Sequence, residues 1–241
     1  MKDEIYKDPL DKIEKFTFSS EVSRVFDDMI VRSVPGYVEN LSFTADLIFR
    51  YYRDGELIVD LGSSTGALAE ALLKRFGSRS FHYIGIDSSE SMVEKARQRV
   101  AGKEQKSQIR FQTGDIRDTL PDKIAVAVSA YTLQFIEPQE RHSLLKRIHH
   151  SLLPGGAFLF SEKVTEEDEN LTALFQEVHH EFKRQNGYTE LEISQKRDAI
   201  EKVLVPLSDE KNREMVKKAG FQAVSLYLKV INFASYLAVK E

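Results

Sequence analysis

Cysteine and tryptophan are both absent from the 241-residue chain. Without a thiol there is no disulfide, no thiolate metal site, no iron–sulfur cluster and no cysteine nucleophile. A surplus of positive charge is missing too: 34 Lys and Arg stand against 38 Asp and Glu, a formal net charge of −4. A protein that grips nucleic acid through its phosphates needs a basic field, so direct nucleic-acid binding is not expected. No apolar run approaches the ~20 residues that cross a bilayer. The start, MKDEIYKDPL, lacks the apolar core of a secretory signal. The expectation is a soluble, cytoplasmic protein with no membrane partner. What is present is 41% hydrophobic and 30% charged residues, far from the composition of a disordered chain. The length suits one large domain, or one domain with an elaboration.

The chain reads in successive parts. Residues 1–52 form a helical segment after a polar start expected to be mobile. Val22, Val25, Phe26, Met29 and Ile30 fall at helical spacing, and Pro35-Gly36 breaks that helix before a second. Residues 53–241 form the main domain. ELIVDLG, FHYIGID, QIRFQTGD, KIAVAVSAYTLQF and GAFLFSEK read as strands, with helices between them, the last stopped by Pro154-Gly155. Apolar strands with little alternation, joined by helices, predict an α/β fold with a doubly wound, mostly parallel sheet. The stretch to about Ala219 reads as helical, and its part at about 164–204 as an inserted cap. QAVSLYLKV and INFASYLAVKE read as an antiparallel hairpin at the sheet edge.

The clearest chemical signal is Asp60-Leu61-Gly62-Ser63-Ser64-Thr65-Gly66, directly after the first strand. Glycines there let backbone pass close to a nucleotide-like ligand. The dinucleotide fingerprint needs Gly at 62, 64 and 67, but the chain has Gly62, Ser64 and Ala67, which disfavours NAD and FAD. The D-x-G-x-x-x-G form resembles the first motif of class I S-adenosylmethionine (SAM)-dependent methyltransferases, which are Rossmann-like. A tight turn without a ligand is the plainer reading. Asp87, ending the second strand, is placed to accept from both ribose hydroxyls; alternatively it caps the next helix. Asp115, after the third strand, can accept from an adenine amino group while the neighbouring backbone N–H donates to the ring; alternatively it is a turn residue. His149-His150 and His179-His180 are read as packing and surface residues rather than metal ligands, since adjacent helical residues point apart. Glu166 to Glu169 reads as a solvated helix start.

Segments outside that motif carry a more specific likeness. Asp28-Met29-Ile30, Arg32 to Tyr37, Tyr131 to Phe135, Ser161-Glu162-Lys163, Phe182-Lys183-Arg184, Asn186-Gly187-Tyr188 and Glu190 to Arg197 together resemble the carboxy-S-adenosyl-L-methionine (carboxy-SAM) synthase family. The likeness runs from about Phe16 to Val239. It implies a class I methyltransferase fold that makes carboxy-SAM from SAM and prephenate, releasing phenylpyruvate. The product would supply a second enzyme that modifies wobble uridine in tRNA. It implies a homodimer, and ligand contacts at Tyr37, Gly62, Ser63, Ser64, Asp87, Ser88, Asp115, Ile116 and Arg197. Arg197 would pair with the carboxylate that distinguishes carboxy-SAM from SAM, a match for bidentate guanidinium geometry. The alternative for Arg197 is an exposed helix arginine. The family usually has Cys at Ser63, Asn at Ser88 and Asn at Ala130, so Ala130 can offer only its backbone to the site. The residues offer no obvious catalytic base. An ordinary SAM-dependent small-molecule methyltransferase and a non-catalytic SAM-type binder are the competing readings.

Overall fold

Five consecutive apolar residues, Ile124 to Val128, run through strand β4 (Ile124–Ala130), and each is buried. Ile124 and Ala127 enter one core; Ala125, Val126 and Val128 enter another. A strand that feeds two cores needs cover on both faces, as parallel sheets require. In the computed structural model, which describes residues 1–104, 106–118 and 120–241, helices supply it. Helices α2 (Tyr37–Tyr51), α3 (Ala67–Phe76) and α4 (Glu90–Val100) cover one face. Helices α5 (Pro138–Ser151) and α8 (Asp209–Lys218) cover the other.

Strand β1 (Leu57–Leu61) pairs in parallel with β2 (His82–Asp87) and with β4. Beyond these lie β3 (Gln108–Thr113) and β5 (Leu152–Thr165), also parallel. The sheet order is β3-β2-β1-β4-β5-β8-β7. The expected hairpin is made by β7 (Ala223–Val230) and β8 (Phe233–Val239). Its second strand does not lie at the edge: β8 inserts antiparallel between β5 and β7. Composition explains the choice, because FASYLAV is mostly buried whereas β7 alternates exposed and half-buried residues.

Helix α1 (Ser20–Ser33) begins where the Ser19 hydroxyl accepts from Val22 N–H. Its buried residues Val22, Val25 and Met29 meet Met92 of α4 and Ala199 of α7 (Glu190–Ile200). The capping box of α7 uses Thr189 and Glu192. Helix α6 (Glu169–Gln185) is capped by Asp168, whose side chain accepts from Asn170 and Leu171 N–H.

Three expectations are revised. Helix α5 ends at Ser151, and Pro154-Gly155 falls inside β5, where the pairing with β4 jumps from Ile124↔Leu152 to Val126↔Ala157. The intervening residues are accommodated as an irregularity, with Gly155 at φ 74° and its N–H on Lys240 O. The stretch to Ala219 is not continuously helical. After Pro206, β6 (Leu207–Ser208) pairs with the end of β5, and the Ser208 hydroxyl then caps α8. The polar start is anchored. Asp3 is buried, accepting from Tyr188 Oη at 2.5 Å and lying 3.3 Å from Lys196 Nζ.

Arg141 is the largest fully buried side chain and holds the loop after β4 in place. Its guanidinium donates to Ile136 O (2.8 Å), Gln134 O (3.2 Å) and Val205 O (2.8 Å). Arg141→Leu leaves Ile136 O and Val205 O without this donor, while Gln134 O keeps the Val205 N–H at 2.9 Å, and should cost about 3 kcal/mol in urea unfolding. A change under about 1 kcal/mol would show that the loop re-forms its bonds elsewhere.

Candidate functional site

The turn after β1 folds through Gly62 at φ 87°, Ser64 at φ 47° and Gly66 at φ 78°. Gly62 and Ser63 N–H both donate to Ile86 O, at 2.8 and 3.0 Å, so the turn is tied to β2. A Cβ at Gly62 would stand 2.2 Å from Thr132 Oγ1. The tight approach that demands glycine is therefore to the chain's own Thr132. Beneath the turn, Asp60 is buried and accepts from Tyr83 Oη at 2.6 Å. Burial pushes its carboxyl up to about 7, against the lowering effect of the Tyr83 hydrogen bond.

Asp87 is not the helix cap, nor is its carboxylate without partners. Its two oxygens accept from Ser64 N–H (2.8 Å) and Ser89 N–H (2.9 Å). Ser89 sits at the cap position of α4, but its hydroxyl donates to Phe18 O at 2.7 Å. Asp87 thus joins the ends of β1 and β2 and keeps lone pairs for further donors. Burial raises its pKa, and the two backbone bonds oppose the rise. Asp115 is held by Arg117, whose guanidinium reaches both carboxylate oxygens and also Glu140. That bond is the main cause of its lowered pKa.

Ala130 ends β4 opposite Ser161 of β5. The next residue, Tyr131, adopts φ 58°, unusual for a residue with a Cβ. Its hydroxyl accepts from Asn40 Nδ2 at 3.1 Å, and its ring lies 6.4 Å from that of Tyr37. Behind the loop, Glu162 accepts from Leu133 N–H at 3.1 Å; complete burial carries it up to about 8, opposed by Arg141.

These strand ends open onto a cavity of about 560 Å³, roofed by α1, α6 and α7. All ten positions expected to contact a ligand line it: Tyr37, Gly62, Ser63, Ser64, Asp87, Ser88, Asp115, Ile116, Ala130 and Arg197. Arg197 is half-exposed, and its guanidinium donates to the neighbouring Asp198 at 3.0 and 2.8 Å. It is therefore at once a cavity residue and a surface arginine, in a pair weak enough to exchange partners. Residues not anticipated also line the cavity: an aromatic wall of Phe16, Phe18 and Phe26, and the cations Lys163, Lys183 and Lys196. The signal for Lys183 lay in α6, where Gln176, His179 and Lys183 recur at helical spacing; Lys163 and Lys196 lie on β5 and α7.

Of the histidines, His179 is buried. Its Nε2 lies 2.7 Å from Ser33 O, which requires Nε2–H as donor, and its ring packs on Phe233. Burial, then the nearby Lys183 charge, lowers its pKa to about 2, so it stays neutral.

The fold and the site define a class I methyltransferase fold. A family model described as a methyltransferase domain matches residues 58–156. Among solved structures, human N-acetylserotonin methyltransferase in complex with SAM superposes with a TM-score of 0.64 at 21% identity, covering 92% of this chain and 55% of that one. The YcgJ protein of Bacillus subtilis gives 0.64 at 15% identity, covering 85% and 99%. Within that class the match is closer still: the chain is 40% identical over 239 residues to the carboxy-S-adenosyl-L-methionine synthase of Desulfotalea psychrophila, covering 99% of this chain and 97% of the relative. The enzyme of the same name from Nitratiruptor sp. is 40% identical over 240 residues, covering 100% and 98%. The chain belongs to the carboxy-S-adenosyl-L-methionine synthase family.

Gly62→Ala should lower stability by roughly 2–4 kcal/mol, combining a left-handed conformation with a steric clash. Thr132→Ala in the same chain should relieve most of the clash, losing its own hydroxyl bond to Ala130 O, and leave at least about 1–2 kcal/mol. Thermal unfolding of the two variants decides. Full recovery would show that the turn can leave φ 87° at no cost.

Proposed function

We propose that this chain is a carboxy-SAM synthase, converting SAM and prephenate to carboxy-SAM and phenylpyruvate. The observation that carries the reading is that Arg197, from the cap, lines the same cavity as Asp87 and Asp115 at the strand ends. A cavity of about 560 Å³ is of the size that takes a nucleoside ligand with a small co-substrate. The Asp87 carboxylate would accept from the ribose hydroxyls, and Ser88 would flank them. Asp115 and the Ile116 N–H would hold the adenine, with Arg117 keeping the Asp115 carboxylate ionised and fixed. The Gly62–Ser64 backbone, the Ala130 backbone and Tyr37 would line the amino-acid portion. When bound, SAM supplies an acidified methyl carbon on which the carbon dioxide lost from prephenate is captured. Arg197 would then exchange Asp198 for the new carboxylate, in a roofed site where such a bond is stronger than at the surface. The hydroxide leaving prephenate would take the proton, so no protein base is assigned.

The product would feed a tRNA wobble-uridine modification as a free small molecule, since a net charge of −4 gives this chain no electrostatic hold on tRNA. Leu171, Leu174 and Val178 form an exposed apolar stripe on α6, the surface we assign to a homodimer. One observation favours an ordinary small-molecule methyltransferase, that Arg197 already has a partner in Asp198; the missing polar side chain at Ala130 favours a non-catalytic SAM-type binder.

Mass spectrometry separates synthase from methyltransferase. Incubation with SAM and prephenate should yield a nucleoside heavier than SAM by one carbon dioxide, together with phenylpyruvate. Recovery of unchanged SAM alone would favour the methyltransferase.

Arg197→Ala tests the key contact. It should weaken carboxy-SAM binding by roughly 1.5–3 kcal/mol, about ten- to hundredfold, while leaving SAM affinity little changed. Arg197→Lys should recover only part, because an ammonium cannot reproduce the two-pronged bond. Equal weakening of both ligands in calorimetric titrations would instead mean that Arg197 supports the cap in general.

A further inference from the structure

Lys163, Lys183, Lys196 and Arg197 line the cavity from β5, α6 and α7, and they are not alike. Lys196 is paired with Asp3 at 3.3 Å and donates to Ser33 Oγ at 3.0 Å. Arg197 is paired with Asp198 at 2.8 Å. Lys163, on β5, feels the carboxylate of Glu201. Lys183 differs. It is 8% exposed, lines the cavity, and its ammonium makes no hydrogen bond or ion pair among the described residues. The charges it feels are those of Lys196, Lys163 and Arg197. A buried ammonium set among cations is costly unless an anion joins it.

We propose that Lys183, backed by Lys163, is the seat for a carboxylate of the second substrate, a specificity-determining role separate from that of Arg197. This rests on the reading that a carboxylate-bearing co-substrate shares the cavity with SAM. The geometry favours it. Lys183 lies on the α6 face that carries Gln176, His179 and His180, all of which line the cavity, and Arg197 faces the same space from α7. Arg197 can serve the carboxylate made in the reaction, and Lys183 is left for one that arrives with the substrate.

The seat has a built-in pH response. Burial, followed by the three neighbouring cations, lowers Lys183 to about 7. Around it stand Lys163 from β5, His179 and His180 on its own helix, Lys196 and Arg197 from α7, and Glu201 just beyond α7. The two histidines also have lowered pKa values and are neutral in the range concerned. Above pH 7 the empty site therefore holds an amine, and a bound carboxylate draws a proton onto it. Anion binding takes up a proton, so raising the pH must weaken it, approaching tenfold per pH unit well above the amine's own pKa.

The test uses Lys183→Met and Lys183→Arg. With SAM saturating, Lys183→Met should raise KM for prephenate at least tenfold and leave SAM affinity within twofold; Lys183→Arg should restore part of the loss. A direct arm uses malonate as the probe, titrated calorimetrically into SAM-loaded protein at pH 8 in two buffers of different ionisation enthalpy. Wild type should take up about one proton per malonate, and Lys183→Met none. If wild type does not turn over prephenate, the synthase reading fails while the malonate arm still judges Lys183. The seat is overturned if malonate does not bind wild type at millimolar concentration, or if it binds Lys183→Met with unchanged affinity and proton uptake. A borohydride-trapped adduct on Lys183 with a keto acid would also overturn it, showing an imine-forming amine. Melting curves of both variants confirm that they fold, as removal of an unpaired buried charge should allow.

Discussion

The constraint on which the rest depends is the reversal of strand order at β1. The chain leaves β1 for β2 and β3 on one side, then returns to β4 and β5 on the other. The crossover helices on the two sides of β1 therefore lie on opposite faces, α3 and α4 on one and α5 on the other, and a crevice opens between their starts at the carboxyl edge. Register aligns the strand ends: Leu61 pairs with Ile86, Asp87 with Thr113, and Ala130 with Ser161. A one-residue slip would turn every side chain of a strand to the other face and scatter these ends. Gly62, Asp87, Asp115 and Ala130 reach one cavity because the sheet brings them there, though up to 68 positions of chain separate them.

The fold was legible where burial writes directly into composition. The apolar runs of β1 and β4 read as parallel strands because they are short, are bounded by turn residues and alternate with helices. Less legible were features decided by competition between segments. Which strand of the β7–β8 hairpin joins β5 depends on comparing two apolar stretches, and FASYLAV wins by carrying fewer charges. The irregular β5 pairing is settled by backbone bonds to Lys240, far along the chain. Pro154-Gly155 looks the same in sequence whether it stops a helix or marks a strand irregularity.

In the site, the positions at strand ends were legible because topology alone places them. Their hydrogen bonding was not. Asp87 read as a choice between capping a helix and holding a ligand, whereas it ties two strand ends together through Ser64 and Ser89. Arg197 reads as either a site residue or a surface residue, and its half-exposed position on α7 lets it line the cavity and reach the surface at once. The sequence singles out Arg197 but not the three lysines around it, because a net charge of −4 averages over the whole chain. That average says nothing of Lys163, Lys183, Lys196 and Arg197 gathered on one side of a cavity whose other side carries Asp60 and Asp87.

That separation of charge has a structural cost, met at the start of the chain. Lys196 and Arg197 are neighbours on α7, so one points inward when the other points to the cavity mouth. The inward one, Lys196, is buried and lowered to about 8 by desolvation, with Asp3 opposing the shift. Asp3 reaches it because its own N–H donates to Asp28 and its carbonyl accepts from Arg32. Gln195, one residue earlier, accepts from Leu10 N–H and donates to Tyr6 and Asp8 carbonyls. The polar N-terminal stretch, which composition alone marks as mobile, is thus the partner that α7 requires. The direction in which Arg197 faces follows from contacts made by residues nearly two hundred positions away.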